Sequence, residues 1–376
     1  MNLEEYRKQI DAVDDELVRL FRERMDIAAD IAQYKKAHGL PVLQPARERE
    51  KLDAVTAQCR EDLRPYLRVL YSLLFELSRT YQSRDCRSEL FARIEHAIEH
   101  TPRLFPQSAD VACQGVEGAF SQLACEKLFK NPHIQYFRNF DGVFSAIESG
   151  FCRYGILPIE NSTAGSVKRV YDLMVEHDFS IVRSTRIKVD HCLLAKPNHG
   201  EIREIFSHEQ AIAQCADFLK SLGSVKITVC ENTAIAAKAV ADSERTDIGA
   251  LSSRLCAELY GLNLVRSGVQ DAGNNHTRFL CIGKQPEIYP GADKTSVMMI
   301  LPHKPGALYK VLARLYALGI NLLKLESRPL PERDFEFMFY LDLETSVYST
   351  EFAQLMSELG GICEEFKYLG SYSEVV

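Results

Sequence analysis

A chain of 376 residues is too long for one ordinary hydrophobic core, so two or three domains are expected. Its formal net charge of −7 argues against nucleic acid or an anionic membrane surface as a general partner. The 11 cysteines are scattered without a C-x-x-C pair, and no stretch approaches the roughly 20 apolar residues of a membrane span. We therefore expect reduced thiols in a cytoplasmic protein without a secretory leader.

The N-terminal segment has the period of α-helices. Between Leu3 and about Lys36 there is no Gly or Pro, and apolar residues recur at helical spacing. A helix of that length spans on the order of 50 Å, more than the width of a small domain, which favours packing against a partner chain. Two further helices are predicted, over about 46–59 and from 65 to at least 82. This segment is predicted to be all-α.

The rest of the chain changes period twice. Short strand-like runs alternate with helical runs from Asp110 to Gly283, which is the pattern of an α/β domain. From Lys294 the predicted order is β-α-β-β-α-β, the order of a ferredoxin-like α+β unit. The region from 83 to 109 is interpreted as a helical extension followed by a linker. The predicted divisions are residues 1–90, a linker over 91–109, residues 110–284 and residues 294–371.

Cations lie on or beside the apolar face of the first helix. Arg24 continues the heptad of Ile10 and Leu17, and Lys35 lies only about 20° around the helix from Arg24. Such cations most often reach out to solvent, but a buried cation needs an anion nearby. Arg7 lies about 100° away, so we expect it to serve the same pocket only from the helix of a partner.

Polar residues on the other two predicted helices complete a pattern. The second helix offers Arg47 and Glu48, and the third offers Ser78 and Gln82 on one face. Each of these is ordinary by itself, but together with the cations they resemble the all-helical chorismate mutases over roughly residues 2–85.

That resemblance implies the rearrangement of chorismate to prephenate, a one-step pericyclic reaction without a cofactor, a metal or a nucleophile. It is helped by binding a compact conformer of the dicarboxylate and by stabilising negative charge on the ether oxygen. In the implied site, Arg24 and Arg7 of the partner subunit bind the two carboxylates, and Lys35 and Gln82 donate to the ether oxygen. Glu48 binds the ring hydroxyl, with support from Arg47 and Ser78. Gln44 lies near that hydroxyl, at a position where relatives often have an acid.

In the middle segment, spacing alone favours plain helix caps at several strand–helix junctions, with Ser207 capping a helix and Gln210 in the capping-box position. The segment also carries three ordered motifs, GILPIENS at 155–162, DHCLL at 190–194 and NHTRF at 275–279. Together these motifs resemble the prephenate dehydratase domain. The family implies two α/β lobes with the active site in the cleft between them, as in periplasmic binding proteins.

The implied reaction removes the ring hydroxyl and carbon dioxide from prephenate to give phenylpyruvate. The resemblance makes Thr277 the acid or hydrogen-bond donor to the leaving hydroxyl and Arg278 its electrostatic support, with Asn161 beside them. Glu209 replaces a proline common in its loop and is expected to bring negative charge near the substrate. The other implied pocket residues are Glu160, Ser162, Ser207 and Gln214.

The C-terminal segment carries GAL at 306–308, where its first helix begins, and ESRP at 326–329, where its second strand ends. By themselves these are ordinary turn and strand-end residues. Directly after a dehydratase-like segment, the combination resembles the ACT regulatory domain that binds phenylalanine. The resemblance implies side-by-side pairing of two such domains, with the amino acid at the interface, and feedback inhibition. The implied binding residues are Gly306, Ala307, Leu308, Asn321, Leu322, Glu326, Ser327, Arg328 and Pro329, with Tyr309 standing where a small aliphatic residue is usual.

The whole chain therefore resembles the bifunctional chorismate mutase/prephenate dehydratases with a C-terminal ACT domain. The expected partners are chorismate, prephenate, L-phenylalanine and at least one further copy of the chain. Neither a cofactor nor a metal is expected, nor a nucleic acid or a membrane. Two alternatives stay open: a dehydratase whose helices are only a dimerisation arm, and a non-catalytic amino-acid sensor. A dehydrogenase is disfavoured because the chain has no G-x-G-x-x-G loop.

Overall fold

The computed structural model describes residues 2–40, 44–83, 89–330 and 336–376, without the side chains of residues 36, 45, 80, 82 and 83. Within these ranges no helix is both long and apolar enough to cross a lipid bilayer.

The N-terminal segment is helical, as predicted, and leaves an apolar surface uncovered. Its third helix contacts both of the others. The second helix begins with a proline, whose fixed φ suits a first helical turn. Apolar side chains along the first helix, among them Ile10, Val13, Leu17 and Ile31, remain exposed in the single chain. The helices are α1 (Leu3–Ala37), α2 (Pro45–Ala57) and α3 (Arg64–Ser83), with a short 3₁₀ turn at Glu61–Leu63.

The middle segment forms two α/β lobes, which confirms the predicted two-lobed architecture. The chain passes from the first lobe to the second between Lys188 and Cys192, and it returns between Arg266 and His276. The elements of the first lobe are β1 (Ser108–Gln114), α5 (Phe120–Leu128), β2 (Asn131–Phe137), α6 (Phe140–Glu148), β3 (Tyr154–Asn161), β4 (Gly165–Ser166), α7 (Lys168–Glu176), β5 (Ser180–Lys188) and, after the return, β11 (His276–Gly283). Those of the second lobe are β6 (Cys192–Ala195), β7 (Glu204–Ser207), α8 (Glu209–Gln214), α9 (Ala216–Ser221), β8 (Lys226–Val229), α10 (Thr233–Asp242), β9 (Ile248–Ser252), α11 (Arg254–Tyr260) and β10 (Asn263–Arg266).

Each lobe is built on one sheet. The order in the first lobe is β5-β11-β3-β1-β2, with β4 paired to β3, and the order in the second is β10-β6-β9-β7-β8. β11 pairs antiparallel with both β3 and β5, so the returning strand lies inside the first sheet. The ends of β3 and β11 consequently lie next to each other where the two lobes meet.

Residues 294–376, here called the C-terminal unit, follow the predicted β-α-β-β-α-β order. The four long strands form an antiparallel sheet in the order β13-β14-β12-β15. The last residues of the chain add a strand to the sheet of the first lobe, parallel to β5. The elements are β12 (Lys294–Ile300), α12 (Ala307–Ala317), β13 (Asn321–Pro329), β14 (Phe337–Glu344), α13 (Thr350–Leu359), β15 (Glu365–Tyr372) and β16 (Glu374–Val375).

One face of this C-terminal sheet is buried against the first lobe. Met298, Tyr340 and Tyr372 belong to the same apolar core as Tyr171 of α7 and Ile181 of β5. A shared core of this kind makes the two parts one packed body, because separating them would expose large aromatic side chains to water.

A helix occupies much of the segment that was expected to be a linker. This helix, α4 (Glu89–His100), buries Ile94 and Ala97 in the core of the C-terminal unit. After it, Thr101 Oγ1 accepts a hydrogen bond from the backbone N–H of Ile288 at 3.0 Å. The segment is therefore part of the C-terminal core, since its apolar residues recur at helical spacing and find a partner surface there.

The N-terminal helices also contact the C-terminal unit. Glu76 of α3 is 5% exposed and lies 3.3 Å from Arg314 of α12. Lys310 contacts the same carboxylate. Because a buried carboxylate needs cationic partners, these charges hold α3 against the helices of the C-terminal unit.

Candidate active sites

A cleft of about 660 Å³ lies between the two lobes. The first lobe contributes the ends of β3 and β11, and the second contributes the first residues of α10 and the helix α8. Polar side chains converge on it from both lobes, which is typical of a binding site for a small polar ligand. They include Asn161, His191, Gln214, Asn232, Thr233 and Thr277.

Backbone groups fix the orientation of the Asn161 amide in this cleft. Its Oδ1 accepts hydrogen bonds from the backbone N–H groups of Thr163 at 3.1 Å and Ala164 at 2.9 Å, so Nδ2 is the donor. Nδ2 donates to Thr277 Oγ1 at 2.9 Å and to Asn275 Oδ1 at 2.7 Å. Because Thr277 accepts in this contact, its hydroxyl hydrogen points to another acceptor.

The network continues across the cleft to the second lobe. Asn275 Nδ2 and His191 Nε2 each lie 3.0 Å from Gln214 Oε1, and both donate because an amide oxygen only accepts. Gln214 Nε2 in turn donates to Thr163 Oγ1 at 2.9 Å. Burial lowers the pKa of His191 below its ordinary value, which keeps the ring neutral at pH 7. A neutral polar network therefore connects the lobes beside Thr277.

Asn275 and His191 stand in the motifs NHTRF and DHCLL but were given no role of their own, and Thr163 was not predicted. Asn275 stands two residues before Thr277, and residues two apart on a strand face the same side, so this signal was available. For His191 the available signal was the motif DHCLL, but its contact with Gln214 could not be predicted from spacing because Gln214 lies on another element.

Two predicted pocket residues, Arg278 and Glu160, lie on the face of the sheet opposite the cleft. Arg278 is 6% exposed, and its Nη1 lies 3.3 Å from Glu160 Oε1 and 2.5 Å from Asp342 Oδ2 of the C-terminal unit. Glu160 also accepts from Lys324 Nζ at 2.7 Å. Since neighbours on a strand point to opposite faces, Thr277 in the cleft directs Arg278 away from it.

The two predicted serines are used within the protein. Ser207 Oγ is buried and donates to the backbone carbonyl of Leu251 at 2.8 Å. Ser162 Oγ donates to the carbonyl of Asn274 at 2.9 Å. Neither side chain lines the cleft, and both hold the loops around it.

The cap of α8 differs from the prediction by one residue. His208, rather than Ser207, precedes the helix, and its ring nitrogen accepts from the N–H of Gln210 at 3.3 Å. Ser207 is the last residue of β7 and its hydroxyl is committed to the sheet. Glu209 is exposed and does not line the cleft, so the expected negative charge lies outside it.

A second candidate site lies among the N-terminal helices. Arg24 Nη1 contacts Ser78 Oγ and donates to the carbonyl of Leu74 at 3.1 Å. The guanidinium carbon lies 5.9 Å from the ring centroid of Phe75. In the described ranges the hydrogen-bond partners of Arg24 are uncharged, so this half-buried cation is left to pair with an external anion.

Of the predicted residues on α2, Glu48 lies inside this site and Arg47 lies on the surface. Glu48 pairs with Arg79 of α3, a residue not singled out from the sequence. Arg47 is exposed and pairs with Glu50 at 2.8 Å. Gln44 precedes α2, and its backbone carbonyl accepts from the N–H of Glu48 at 3.1 Å.

A single chain does not bring Arg7 to this site. Arg7 and Arg24 lie on the continuous helix α1, about 25 Å apart along its axis. The Arg7 side chain is 65% exposed and lies 3.7 Å from Glu4. Lys35 is half-buried, whereas the side chain of Gln82 lies outside the described residues.

A groove of about 560 Å³ opens at the start of α12. The predicted residues Gly306, Ala307 and Leu308 line it together with Tyr309 and Phe337. Gly306 has φ of 82°, which favours glycine, and it leads directly into the helix.

The predicted residues of β13 lie elsewhere than this groove. Glu326 Oε2 accepts from Ser166 Oγ of the first lobe at 2.6 Å, and Arg328 Nε donates to Asp172 of α7 at 2.9 Å. Asn321 begins the strand and donates to Glu344 at 3.0 Å. Leu322 follows Asn321 at that end, while Ser327 and Pro329 belong to the exposed side of the other end.

Comparisons with known proteins identify two enzyme domains in this chain. The family model for chorismate mutase type II matches residues 6–83, and the model for prephenate dehydratase matches residues 111–287. The bifunctional chorismate mutase/prephenate dehydratase of Aquifex aeolicus (strain VF5) is 32% identical over 377 residues, covering 100% of this chain and 98% of the relative.

Two solved structures each resemble about 70% of this chain. Prephenate dehydratase from Arthrobacter aurescens, solved with L-Phe, has 25% identity and a TM-score of 0.65, covering 70% of this chain and 90% of that one. GqqA, described as a novel type of quorum quenching acylase, has 32% identity and a TM-score of 0.65, covering 70% and 98%. Since the relative from Aquifex matches along the full length, this chain belongs to the family of bifunctional chorismate mutase/prephenate dehydratases.

Proposed function

We propose that the cleft and the helical cluster described above are the sites of the two reactions, and that the C-terminal unit is an ACT domain through which L-phenylalanine inhibits. The cytoplasmic location expected from the cysteine pattern is part of this proposal. The observation that carries the assignment of the cleft as the dehydratase site is the hydrogen bond from Asn161 Nδ2 to Thr277 Oγ1.

Dehydration of prephenate needs a donor to the leaving ring hydroxyl. Asn161 occupies a lone pair of Thr277 Oγ1 and leaves the hydroxyl hydrogen for the substrate. A threonine hydroxyl is a weak acid, so its contribution is a hydrogen bond that strengthens as charge develops on the leaving oxygen. The loss of carbon dioxide in the same step makes the ring aromatic and drives the reaction.

The opposite wall of the cleft suits a substrate carboxylate. Asn232 caps α10 by accepting from the N–H of Ile235 at 2.8 Å, and Thr233 begins the helix. The free N–H groups and the dipole of a helix N-terminus favour an anion, so a carboxylate of prephenate would bind here while its ring faces Thr277.

The helical cluster suits chorismate only when a second copy completes it. Arg24 supplies one cation, which has no acidic partner among the described residues, and Arg7 of the partner subunit would supply the other. The exposed apolar face of α1 supports such a dimer, because pairing would bury it. Glu48 and Lys35 lie on the same bundle for the ring hydroxyl and the ether oxygen.

Regulation would use the groove at Gly306 and the edge strand β13. In the described sheet β13 has one neighbouring strand, and its exposed side carries Leu323 and Leu325. Antiparallel pairing of two such edges would bring Asn321 of one copy beside the groove end of the other. This would unite the predicted phenylalanine-binding residues, which a single chain keeps apart.

The test of the cleft is Thr277→Val in the full chain. Removing one donor to a developing charge costs on the order of 10²–10³ in rate, so phenylpyruvate formation from prephenate should fall by that factor. Chorismate consumption should be unchanged, and Glu209→Ala, on the surface, is the control. Equal dehydratase rates in T277V and wild type would defeat the assignment. The unaltered protein should convert chorismate to phenylpyruvate without a cofactor, and L-phenylalanine should suppress product formation.

Shared mutase sites are tested by complementation. Arg7→Ala and Arg24→Ala should each inactivate the mutase as homodimers. A mixed dimer would have one site with both changes and one intact site, so random mixing should restore about a quarter of wild-type activity. No recovery in dimers shown to be mixed would contradict a site built from two copies.

A further inference from the structure

Asp342 lies fully buried in the sheet of the C-terminal unit and faces the first lobe. Its Oδ2 lies 2.5 Å from Arg278 Nη1, and its Oδ1 accepts from Ser296 Oγ at 2.5 Å and from the Tyr340 hydroxyl at 2.6 Å. Arg278 Nη2 donates to the Tyr372 hydroxyl at 2.9 Å. Asp342 and Arg278 therefore form a charge pair sealed between two parts of the chain.

This pair is one residue away from the reacting groups. On β11 and β3, Thr277 is opposite Asn161, and Arg278 is opposite Glu160. The first two side chains face the cleft, and the last two are held by the C-terminal unit. Since neighbours share a peptide backbone, a shift of Arg278 toward or away from the C-terminal sheet must move Thr277 in the cleft.

We propose that Asp342 is a positioning residue for the dehydratase reaction, acting through Arg278 on the hydroxyl of Thr277. Arg278 then affects the rate without touching prephenate, and the C-terminal unit is a structural part of the active site. This inference rests on the proposed role of Thr277.

The electrostatics favour a defined position for this contact. Among the described side chains, Arg278 is the cation bound to Asp342, whereas Glu160 is shared between Arg278 and Lys324. A buried charge pair holds its geometry because Asp342 alone would be uncompensated, and Arg278 would keep only the longer contacts to Glu160 at 3.3 Å and Glu374 at 3.8 Å. The carboxylate is held in turn by hydroxyl donors on its own sheet, so its position follows that sheet.

The experiment compares Asp342→Asn, Arg278→Met and the double variant by separate kcat and KM for prephenate. D342N should lower kcat at least about tenfold with little change in KM, because the substrate contacts stay. R278M should likewise lower kcat with little change in KM. The kcat of the double variant should be no lower than that of R278M alone, because the two residues act as one unit. Arg278→Lys should recover part of the rate.

Folding is checked within the same chain by its chorismate mutase activity and by the unfolding midpoint. If D342N proves unstable, Tyr372→Phe takes its place as the test variant. It removes one hydroxyl contact to Arg278, keeps the ring and should lower kcat several-fold. The matched control is Lys367→Met, which breaks the 3.0 Å pair with Asp178 at the same interface, away from Arg278, and should leave kcat unchanged.

Several outcomes would overturn the proposal. A raised KM in R278M beside wild-type kinetics in D342N would mean that Arg278 binds prephenate directly. Multiplying effects in the double variant would mean that the residues act separately. In a T277V background D342N should cause no further loss. An active T277V defeats the proposed function itself, whereas an inactive T277V beside a fully active D342N defeats only the present inference.

Discussion

Gly370 lies on β15 where the C-terminal unit meets the first lobe, and we expect Gly370→Ala to be strongly destabilising. Its φ is +143°, a region that side chains with a Cβ rarely adopt. An added Cβ would overlap the backbone oxygen of Ile181 and lie 3.1 Å from the carbonyl carbon and nitrogen of that residue. Backbone atoms of a central strand cannot turn aside, so β15 would have to move away from β5.

Two terms set the size of the effect. Holding a residue in a backbone region reserved for glycine costs about 1–3 kcal/mol. Inserting a carbon into a filled contact costs about another 1–3 kcal/mol. The expected loss is therefore about 2–6 kcal/mol, a large part of the roughly 5–15 kcal/mol that holds a typical domain folded.

Urea unfolding followed by circular dichroism and by both enzyme activities would measure this loss. Dehydratase activity should disappear at lower urea than in the wild type and before mutase activity. The control is Gly360→Ala, at the end of α13, where φ is −59° and the nearest atom, Met356 O, lies 3.9 Å from the added carbon. If both variants unfold at the same urea concentration, the close packing of β15 on β5 does not exist in solution.

Three further results are expected. Asn161→Ala should lower dehydratase kcat on the order of 10²-fold, because the catalytic hydroxyl loses the donor that orients it, and an effect on KM alone would contradict this. The pKa of Glu204 is held at about 2, chiefly by a hydrogen bond from Lys226, so this stabilisation is complete above the unfolded pKa of about 4.3 and lost as the pH falls toward 2. The unfolding free energies of wild type and Glu204→Gln should therefore differ most near pH 7 and converge near pH 2. Mutase activity should change little between about pH 5 and 8, since Gln82 donates at any pH, and a steep fall above neutrality would refute that role.

Much of the fold could be predicted from the sequence because the relevant signals are local. The helical period of residues 3–36, the alternation of strands and helices from Asp110, and the β-α-β-β-α-β order after Lys294 all appear in the structure. Each depends on spacing along the chain and on turn residues, which neighbouring residues encode without reference to distant ones. The segment at 91–109 shows the limit, since its helix is amphipathic but its partner surface lies some 200 residues further along.

The sites divide in the same way. The sequence by itself determined the residue types of the NHTRF motif at 275–279, and strand alternation implies that Thr277 and Arg278 face opposite sides of the sheet. Only the tertiary structure decided that the cleft covers one side and that Asp342 covers the other. That Arg7 and Arg24 do not share a site within one chain was already predicted from helical spacing, and the continuous helix α1 agrees with it. Spacing determines the direction of a side chain, but its partner is set by packing between elements that are far apart in the sequence.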